Sequence, residues 1–360
     1  MKLDKKKKII IAVLAVVVVI AVAIGAYFAL AKKDNSEPEQ EYTNVRVDTP
    51  ISIKNPLTGE ADYNKDAVGK RPVSVVVENS SPARPQYNIK TPDIIVEGEV
   101  EGGETRMLWF YSDMTALPEQ VGPTRSARPS FVEFSRFFDS VYVHFGGSHS
   151  SKGEYVGGYE TIDKLGVDHI DGIKSGAYFK RTKDKKSPHN AVLLGKKVVS
   201  AIEDKGFRKD VKEKNFSKLS FYDELTPVSS TACNNIEVKI SKITPTHKLK
   251  YDSEKGVYTN PSDYKTPVSF ANVIVMFADS KYIDKDNYKG SGKTETYLNY
   301  NFSSGKGQLA SGGAIVDFNW KVENGVLKFT DVNGNDLKLN PGKSWIALAS
   351  ANHEGSVNFE

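Results

Sequence analysis

The chain has 360 residues, a formal net charge of +4 and one cysteine, Cys233. One cysteine excludes an internal disulfide, so packed cores must stabilise the fold. The positive charge does not indicate a nucleic-acid partner, because residues 1–33 hold seven lysines and one aspartate. The remaining residues carry 42 basic and 44 acidic side chains, a net charge of −2, and we expect no nucleic-acid binding.

Residues 9–30 form an uncharged apolar run slightly over 20 residues long. A helix of that length spans a hydrocarbon core about 30 Å thick. Five lysines precede the run and only Lys32 and Lys33 follow it directly, which predicts a cytoplasmic N-terminus. We therefore predict a single-pass anchor in the cell membrane with extracytoplasmic domains. A cleaved signal peptide is the alternative, but its apolar region is typically only 7–15 residues long.

The anchor is followed by residues 34–70, which are polar and rich in Glu, Asn, Asp, Pro and Lys. This composition predicts a flexible stalk. About 290 residues remain, more than one core usually contains, so we predict two domains, 71–232 and 233–360.

The first predicted domain mixes strand patterns with helix patterns. Apolar runs of strand length predict strands over 72–79, 93–100, 105–112 and 140–147, the second and third joined by a hairpin over 101–104. Near-helical spacing predicts helices over 130–139 and over 190–205, the latter with Asn190 as its N-cap and Gly206 after its end. This mixture indicates an α/β or α+β domain.

The second predicted domain alternates apolar and polar residues between turns. Strand patterns cover 236–243, 247–260, 269–278 and further runs to the end of the chain, with a hairpin turn at 333–336. The domain should be mostly antiparallel β. For the whole chain, the expected class is α+β behind an N-terminal membrane helix.

Glu97, Glu99 and Glu101 lie at strand period two, so an extended strand would project all three from one face. Such carboxylates repel one another, which raises their pKa values and is one way to build an acid or metal site. Arg106 on the returning strand is the obvious partner. The other interpretation is a polar face of the hairpin turned to solvent.

Residues 122–129 place two arginines three positions apart, with hydroxyls between them, before a predicted helix start. Guanidinium forks and free backbone N–H groups suit a phosphate or carboxylate ligand. The alternative is a structural ion pair, and we predict that Arg125 or Arg128 pairs with Glu97, Glu99 or Glu101. The residues of interest here are Thr124, Arg125, Ser126 and Arg128.

A strand end at 144–150 contributes two histidines and two hydroxyls, enough for a Ser–His pair but without the G-x-S-x-G or H-E-x-x-H order. Structural histidines are the alternative. We predict no metal and no cofactor. The candidate binding groove comprises Glu97, Glu99, Arg106, Thr124, Arg125, Ser126, Arg128, His144, Ser148, Arg181, His189 and Asn190.

Three segments of the first half, RPVSVVVENSSPARPQYN, VGPTRSARPSFVEFSRFF and YFKRTKDKKSPHNAVL, resemble the YerB-like lipoprotein family of bacterial envelopes. The ending VDFNWKVENGVLKFTDVNGNDLKLNPGKSWIALA resembles that family's C-terminal β domain. The resemblance covers nearly everything from Arg71 to Ser350. It implies an envelope location and two domains, but no reaction. The chain departs from the lipoproteins because its only cysteine does not follow the apolar run.

These observations predict a membrane-anchored, extracytoplasmic envelope protein that binds an envelope glycan, an anionic polymer or a protein partner. An envelope hydrolase or transferase with a glutamate acid or base is the second hypothesis. A scaffold for a membrane partner is the third. The sequence leaves open whether the protein is an enzyme, because no complete catalytic constellation follows from spacing alone.

Overall fold

The computed structural model describes residues 22, 24, 53–150, 154–261, 263–286, 292–351 and 356–360. The predicted membrane helix lies outside the described residues, apart from two isolated positions, as does the predicted stalk up to residue 52. Over the described ranges, no helix has both the length and the apolar character needed to cross a bilayer.

In the first half of the described chain, nine strands alternate with short helices. The strands are β1 Val73–Glu78, β2 Ile94–Glu99, β3 Thr105–Tyr111, β4 Gln120–Val121, β5 Val141–His144, β6 His169–Asp171, β7 Phe179–Arg181, β8 Ala191–Leu194 and β9 Ser220–Phe221. The α-helices are α1 Pro129–Phe137, α2 Gly158–Leu165 and α3 Val198–Asp204. Single 3-10 turns lie at Lys65–Ala67, Ser81–Ala83, Gly176–Tyr178, Gly195–Lys197 and Glu213–Asn215.

The second half consists of strands. They are β10 Asn235–Lys239, β11 His247–Asp252, β12 Val257–Asn260, β13 Val268–Phe270, β14 Asn272–Ala278, β15 Ser280–Lys285, β16 Glu295–Tyr300, β17 Ser304–Ser311, β18 Ala314–Glu323, β19 Val326–Thr330, β20 Lys338–Leu339, β21 Ser344–Ser350 and β22 Ser356–Phe359. The described chain is therefore mostly β with few helices, a mixed fold.

One ten-stranded sheet passes through both halves, in the order β19-β18-β17-β14-β21-β2-β3-β1-β5-β6. Strand β21 lies parallel to β14 on one side and to β2 on the other, with Ile94 opposite Ser344. Strands β1, β5 and β6 are also parallel, whereas β2, β3 and β1 are antiparallel neighbours. Residues 52–360 form one compact unit, and the boundary at 232/233 stays a prediction.

Two apolar cores cover the two faces of this sheet. Ile95 and Trp109 belong to one core, together with side chains of the five-stranded sheet β13-β12-β11-β10-β22. Leu108 and Phe110 belong to the other core, where α1 packs Phe134 against the sheet. Because both faces are covered, β1, β2 and β3 are buried along their whole length, as continuous apolar runs indicate.

The structure corrects two expectations from the sequence. The folded unit begins before residue 71, because Leu57 and Thr58 are fully buried within the predicted stalk. The predicted helix over 190–205 is divided into strand β8, a 3-10 turn and the short helix α3. Strand pairing of residues 191–194 with β7 and β4 overrides their helical pattern. Gly206 does follow the end of α3, at φ +64°.

Candidate functional site

The candidate site lies at the carboxyl ends of parallel strands β1 and β5. The pairing of these two strands ends with Val75 opposite Val143, and beyond that point the strands separate. Residues 123–125 enter the gap: Glu78 N–H donates to the Pro123 carbonyl at 2.8 Å, and Phe145 N–H to the Arg125 carbonyl at 2.9 Å. Ligands of open α/β sheets bind where neighbouring strands diverge in this way.

Four side chains meet at the end of β1, and we call them the β1-end site: Glu78, Gln86, Arg125 and His189. His189 Nδ1 lies 2.7 Å from Glu78 Oε1, and Arg125 Nε lies 3.5 Å from the same oxygen. Gln86 Nε2 donates to the Glu78 carbonyl at 3.1 Å. The site remains reachable from solvent, since the side chains of Arg125 and His189 are 26% and 24% exposed.

Among the residues that the structure describes, three buried polar atoms of the β1-end site find no hydrogen-bond partner. They are Glu78 Oε2, Gln86 Oε1 and Arg125 Nε. Glu78 is only 3% exposed and Gln86 only 4%. A buried polar atom without a partner costs free energy, so such atoms are uncommon in native proteins. Two acceptors and one donor are therefore left for a ligand.

The predicted arginine–glutamate pair is confirmed by Arg128 and Glu101. Arg128 Nε donates to Glu101 Oε2 at 2.7 Å, and Glu101 Oε1 accepts one further bond from Arg128 and one from Arg106. Burial alone would raise the pKa of Glu101, but the two guanidiniums lower it to about 2. Burial, reinforced by the charge of Arg128, lowers the pKa of Arg106 to about 10. Arg128 is thus a structural ion-pair residue.

Glu97 is fully buried in a different cluster. Its carboxylate accepts hydrogen bonds from Asn79, Thr105 and His247 on Oε1, and from Tyr264 on Oε2. Both His247 nitrogens face carboxylates, Glu97 at 3.0 Å and Asp263 at 3.1 Å. Because carboxylates only accept, both nitrogens must donate, which makes the ring an imidazolium. Although burial opposes the charge, these carboxylates raise the pKa of His247 to about 9.

The expectation that Glu97, Glu99 and Glu101 share one face is therefore wrong. Glu97 lies on the same face of the sheet as Ile95, two residues earlier. Glu101 instead contacts Arg106, which lies with Leu108 on the opposite face. Strand β2 ends at Glu99, so the period of two does not extend to Glu101. Burial raises the pKa of Glu99, whose Oε1 accepts from the Tyr282 hydroxyl at 3.2 Å.

His144 and Ser148 do not form a Ser–His pair. His144 Nδ1 lies 2.7 Å from the Gly146 carbonyl and must donate to it, while Nε2 lies 2.8 Å from His169 Nδ1. Burial lowers the pKa of His144 to about 4, so the ring is neutral. Ser148 accepts from the Tyr155 hydroxyl at 2.7 Å and from Gly158 N–H at 2.9 Å, which fixes the start of α2.

The remaining predicted residues mainly hold backbone segments together. Thr124 and Ser126 hydroxyls donate to the carbonyls of Ala191 and Phe145. Asn190 is not an N-cap: its Oδ1 accepts from Arg181 at 2.8 Å, and its Nδ2 donates to the Thr182 carbonyl. Of the twelve predicted residues, the structure places Arg125 and His189 in the β1-end site. Arg128 and His144 make other contacts, and Glu97 is linked to Gln86 of the site through Asn79.

Sequence reasoning missed Glu78 and Gln86, although Glu78 had a recognisable signal. It is the last residue of the first buried strand, and the carboxyl ends of such strands are where sites form. Gln86 carried no such signal. The described part of the chain contains no group of three or more His, Cys, Asp or Glu side chains arranged to hold a metal ion.

Comparison with known proteins assigns the family. The N-terminal domain of DUF3048, a protein family of unknown function, matches residues 57–208, and its C-terminal domain matches residues 236–346. YerB of Bacillus subtilis (strain 168), whose given name classes it provisionally as a lipoprotein, is 32% identical over 311 residues, covering 84% of this chain and 87% of YerB. The crystal structure of YerB matches with a TM-score of 0.68 and 29% identity, covering 85% of this chain and 99% of that chain. The chain therefore belongs to the YerB-like family, which the two DUF3048 domains define.

Proposed function

We propose that this chain is a membrane-anchored, extracytoplasmic envelope protein that binds a polyhydroxylated, anionic envelope polymer at the β1-end site. The name of its relative YerB supports an envelope location. The lysine-flanked apolar run supports anchoring by a helix with the N-terminus in the cytoplasm. Binding of the polymer is inferred from the site itself.

The observation that supports polymer binding is the set of three buried polar atoms that lack a hydrogen-bond partner. Glu78 Oε2 and Gln86 Oε1 can each accept from a ligand hydroxyl, and Arg125 Nε can donate to an anionic oxygen. A glycan or polyol that carries acidic groups offers both kinds of atom on neighbouring positions. A purely apolar ligand would leave Glu78 Oε2 and Gln86 Oε1 unpaired, at a cost of about 1–3 kcal/mol each, and would give Arg125 Nε no partner beyond its 3.5 Å ion pair with Glu78.

The test measures retention of the purified full-length protein on immobilised anionic wall polymer. Arg125→Gln removes the guanidinium and its charge, and Glu78→Gln replaces the carboxylate by an amide of the same shape. A hydrogen bond to a charged group contributes about 1.5–3 kcal/mol, so each variant should bind roughly tenfold more weakly or worse. Added salt should also weaken wild-type binding, because exposed charges are screened over about 8 Å at physiological ionic strength.

Lys328→Gln is the matched control, since it removes one positive charge from an exposed side chain of strand β19. Its retention should equal that of the wild type. Circular dichroism and thermal unfolding of each variant confirm that the fold is retained. If Arg125→Gln and Lys328→Gln are retained equally at every salt concentration, the β1-end site does not bind the polymer.

An envelope hydrolase with Glu99 as its acid is the second candidate function. One observation favours it, because burial raises the pKa of Glu99 towards the range of a general acid. Cleavage of a glycosidic bond also needs a second carboxylate about 5–10 Å away. Glu97 and Glu101 are both held in ion pairs, which favours binding over catalysis. Turnover of wall material that disappears in Glu99→Gln would reverse this order.

A further inference from the structure

A cavity of about 370 Å³ lies at the amino ends of parallel strands β1, β5 and β6, on the edge of the sheet away from the β1-end site. Arg71, Ser140 and Asp168, which lie one or two residues before these three strands, line it. We call it the amino-edge cavity. Its other charged lining residues are Arg136, Asp139, Arg208 and Lys212.

The two carboxylates of this cavity are already paired. Asp168 accepts from Arg71, and Asp139 accepts from Arg208 on Oδ1 and from Lys212 N–H, at 2.7 Å, on Oδ2. The other hydrogen bonds of Arg71 are donated to backbone carbonyl oxygens, including that of Asp139 at 2.7 Å. These carboxylates therefore have little capacity left for further cations.

Two cations of the cavity remain uncompensated. The guanidinium of Arg136 and the ammonium of Lys212 make no hydrogen bond or ion pair with any other residue that the structure describes. Four cations thus face two carboxylates. Burial lowers the pKa of Arg71, and the charge of Arg208 acts in the same direction, whereas Asp168 and Asp139 oppose the shift.

Arg136 is held in position by the turn between β18 and β19. Gly325 in that turn has φ +79°, and a Cβ atom there would lie 1.7 Å from Arg136 Nη1. The missing side chain leaves room for the guanidinium. Arginine in the last turn of a helix also interacts favourably with the helix dipole. The dipole does not account for three further cations around the same cavity.

We infer that the amino-edge cavity binds a phosphoryl group through Arg136 and Lys212, with Arg208 contributing to the positive potential. Guanidinium forks match the geometry of phosphate oxygens, and the lysine adds a second, adaptable cation. A phosphoryl group can come from a soluble phosphate ester or from a lipid headgroup. The cavity is separate from the β1-end site, so this inference does not rest on the function proposed above.

The test titrates the purified full-length protein with inorganic phosphate by calorimetry, at constant ionic strength maintained with chloride. We expect saturable binding that Arg136→Gln and Lys212→Gln each weaken about tenfold or more, as loss of a charge-assisted bond predicts. Lys328→Gln should bind as the wild type does. Phosphate should also raise the unfolding temperature of the wild type and of Lys328→Gln, but not that of Arg136→Gln.

The same titration separates the two sites. Phosphate binding that persists in Arg125→Gln but is lost in Arg136→Gln supports the amino-edge cavity, whatever happens at the β1-end site. Soluble glycerol phosphate and phosphatidylglycerol vesicles then identify the source of the phosphoryl group. Absence of saturable binding to the wild type, or unchanged binding in both cavity variants, would overturn the inference.

Discussion

The buried imidazolium of His247 predicts that the protein loses stability as the pH rises from 6 to 9. The pKa of His247 is raised from 6.5 to about 9 by Glu97 and Asp263. A group whose pKa is raised by folding stabilises fully below its unfolded pKa, and that contribution is lost as pH approaches the folded value. At about 1.4 kcal/mol per pKa unit, the contribution is roughly 3 kcal/mol.

Urea unfolding at pH 6 and pH 9 measures this change. Tryptophan fluorescence reports it, because Trp109, Trp320 and Trp345 are all buried. The free energy of unfolding of the wild type should fall by roughly 3 kcal/mol between the two values. His247→Gln keeps a polar side chain but cannot titrate, so it should be less stable at pH 6 and should lose the part of the fall, roughly 3 kcal/mol, that His247 contributes between pH 6 and pH 9.

His149→Gln is the control, since its side chain is 67% exposed and its removal should preserve the wild-type pH dependence. NMR titration of the His247 ring provides a direct second measurement. A wild-type stability that stays constant from pH 6 to pH 9 would refute the reasoning. So would a fall between pH 6 and pH 9 that is as large in His247→Gln as in the wild type.

Three further predictions use other parts of the molecule. Arg128→Gln should destabilise the protein by about 3–5 kcal/mol, because it breaks a buried ion pair. Lys248→Gln removes one member of an exposed pair with Glu237 and should cost under about 1 kcal/mol. Equal losses of stability in urea unfolding would contradict this prediction. Gly325→Ala should lower both the stability of the protein and its affinity for phosphate. Gly334 also has a positive φ, +89°, but open space surrounds it. Gly334→Ala should therefore lower stability by about 1 kcal/mol and leave phosphate affinity unchanged. Protease added to intact, wall-stripped cells should digest the extracytoplasmic domains and spare a short N-terminal fragment; protection of the domains would reverse the predicted topology.

Local features of the fold could be predicted from the sequence because they depend on nearby residues. The apolar run at 72–79 became β1, and the two runs around residues 101–104 became the β2–β3 hairpin. The pairing of Arg128 with Glu101 followed from the density of opposite charges in the two segments. In each case, the interacting residues lay within about 30 positions of one another in the sequence.

Contacts over long sequence separations could not be predicted. Glu97 and His247 are 150 residues apart, and nothing near either one indicates that the other compensates its charge. The helical pattern of Asn190–Lys205 was overridden where β8 met β7 and β4. The β1-end site had the same origin, since Gln86, Arg125 and His189 reach Glu78 only after the sheet has formed.

The place of β21 in the ten-stranded sheet affects how the protein is made. Ile94 of β2 pairs with Ser344 of β21, 250 residues later. At a synthesis rate of about 5–20 residues per second, the outer edge of β2 stays unpaired for roughly 12–50 s before β21 is synthesised. An unpaired strand edge can pair with other chains during that interval. A partly emerged chain therefore exposes the middle of its future sheet, and assistance from a chaperone would matter most before residues 344–350 arrive.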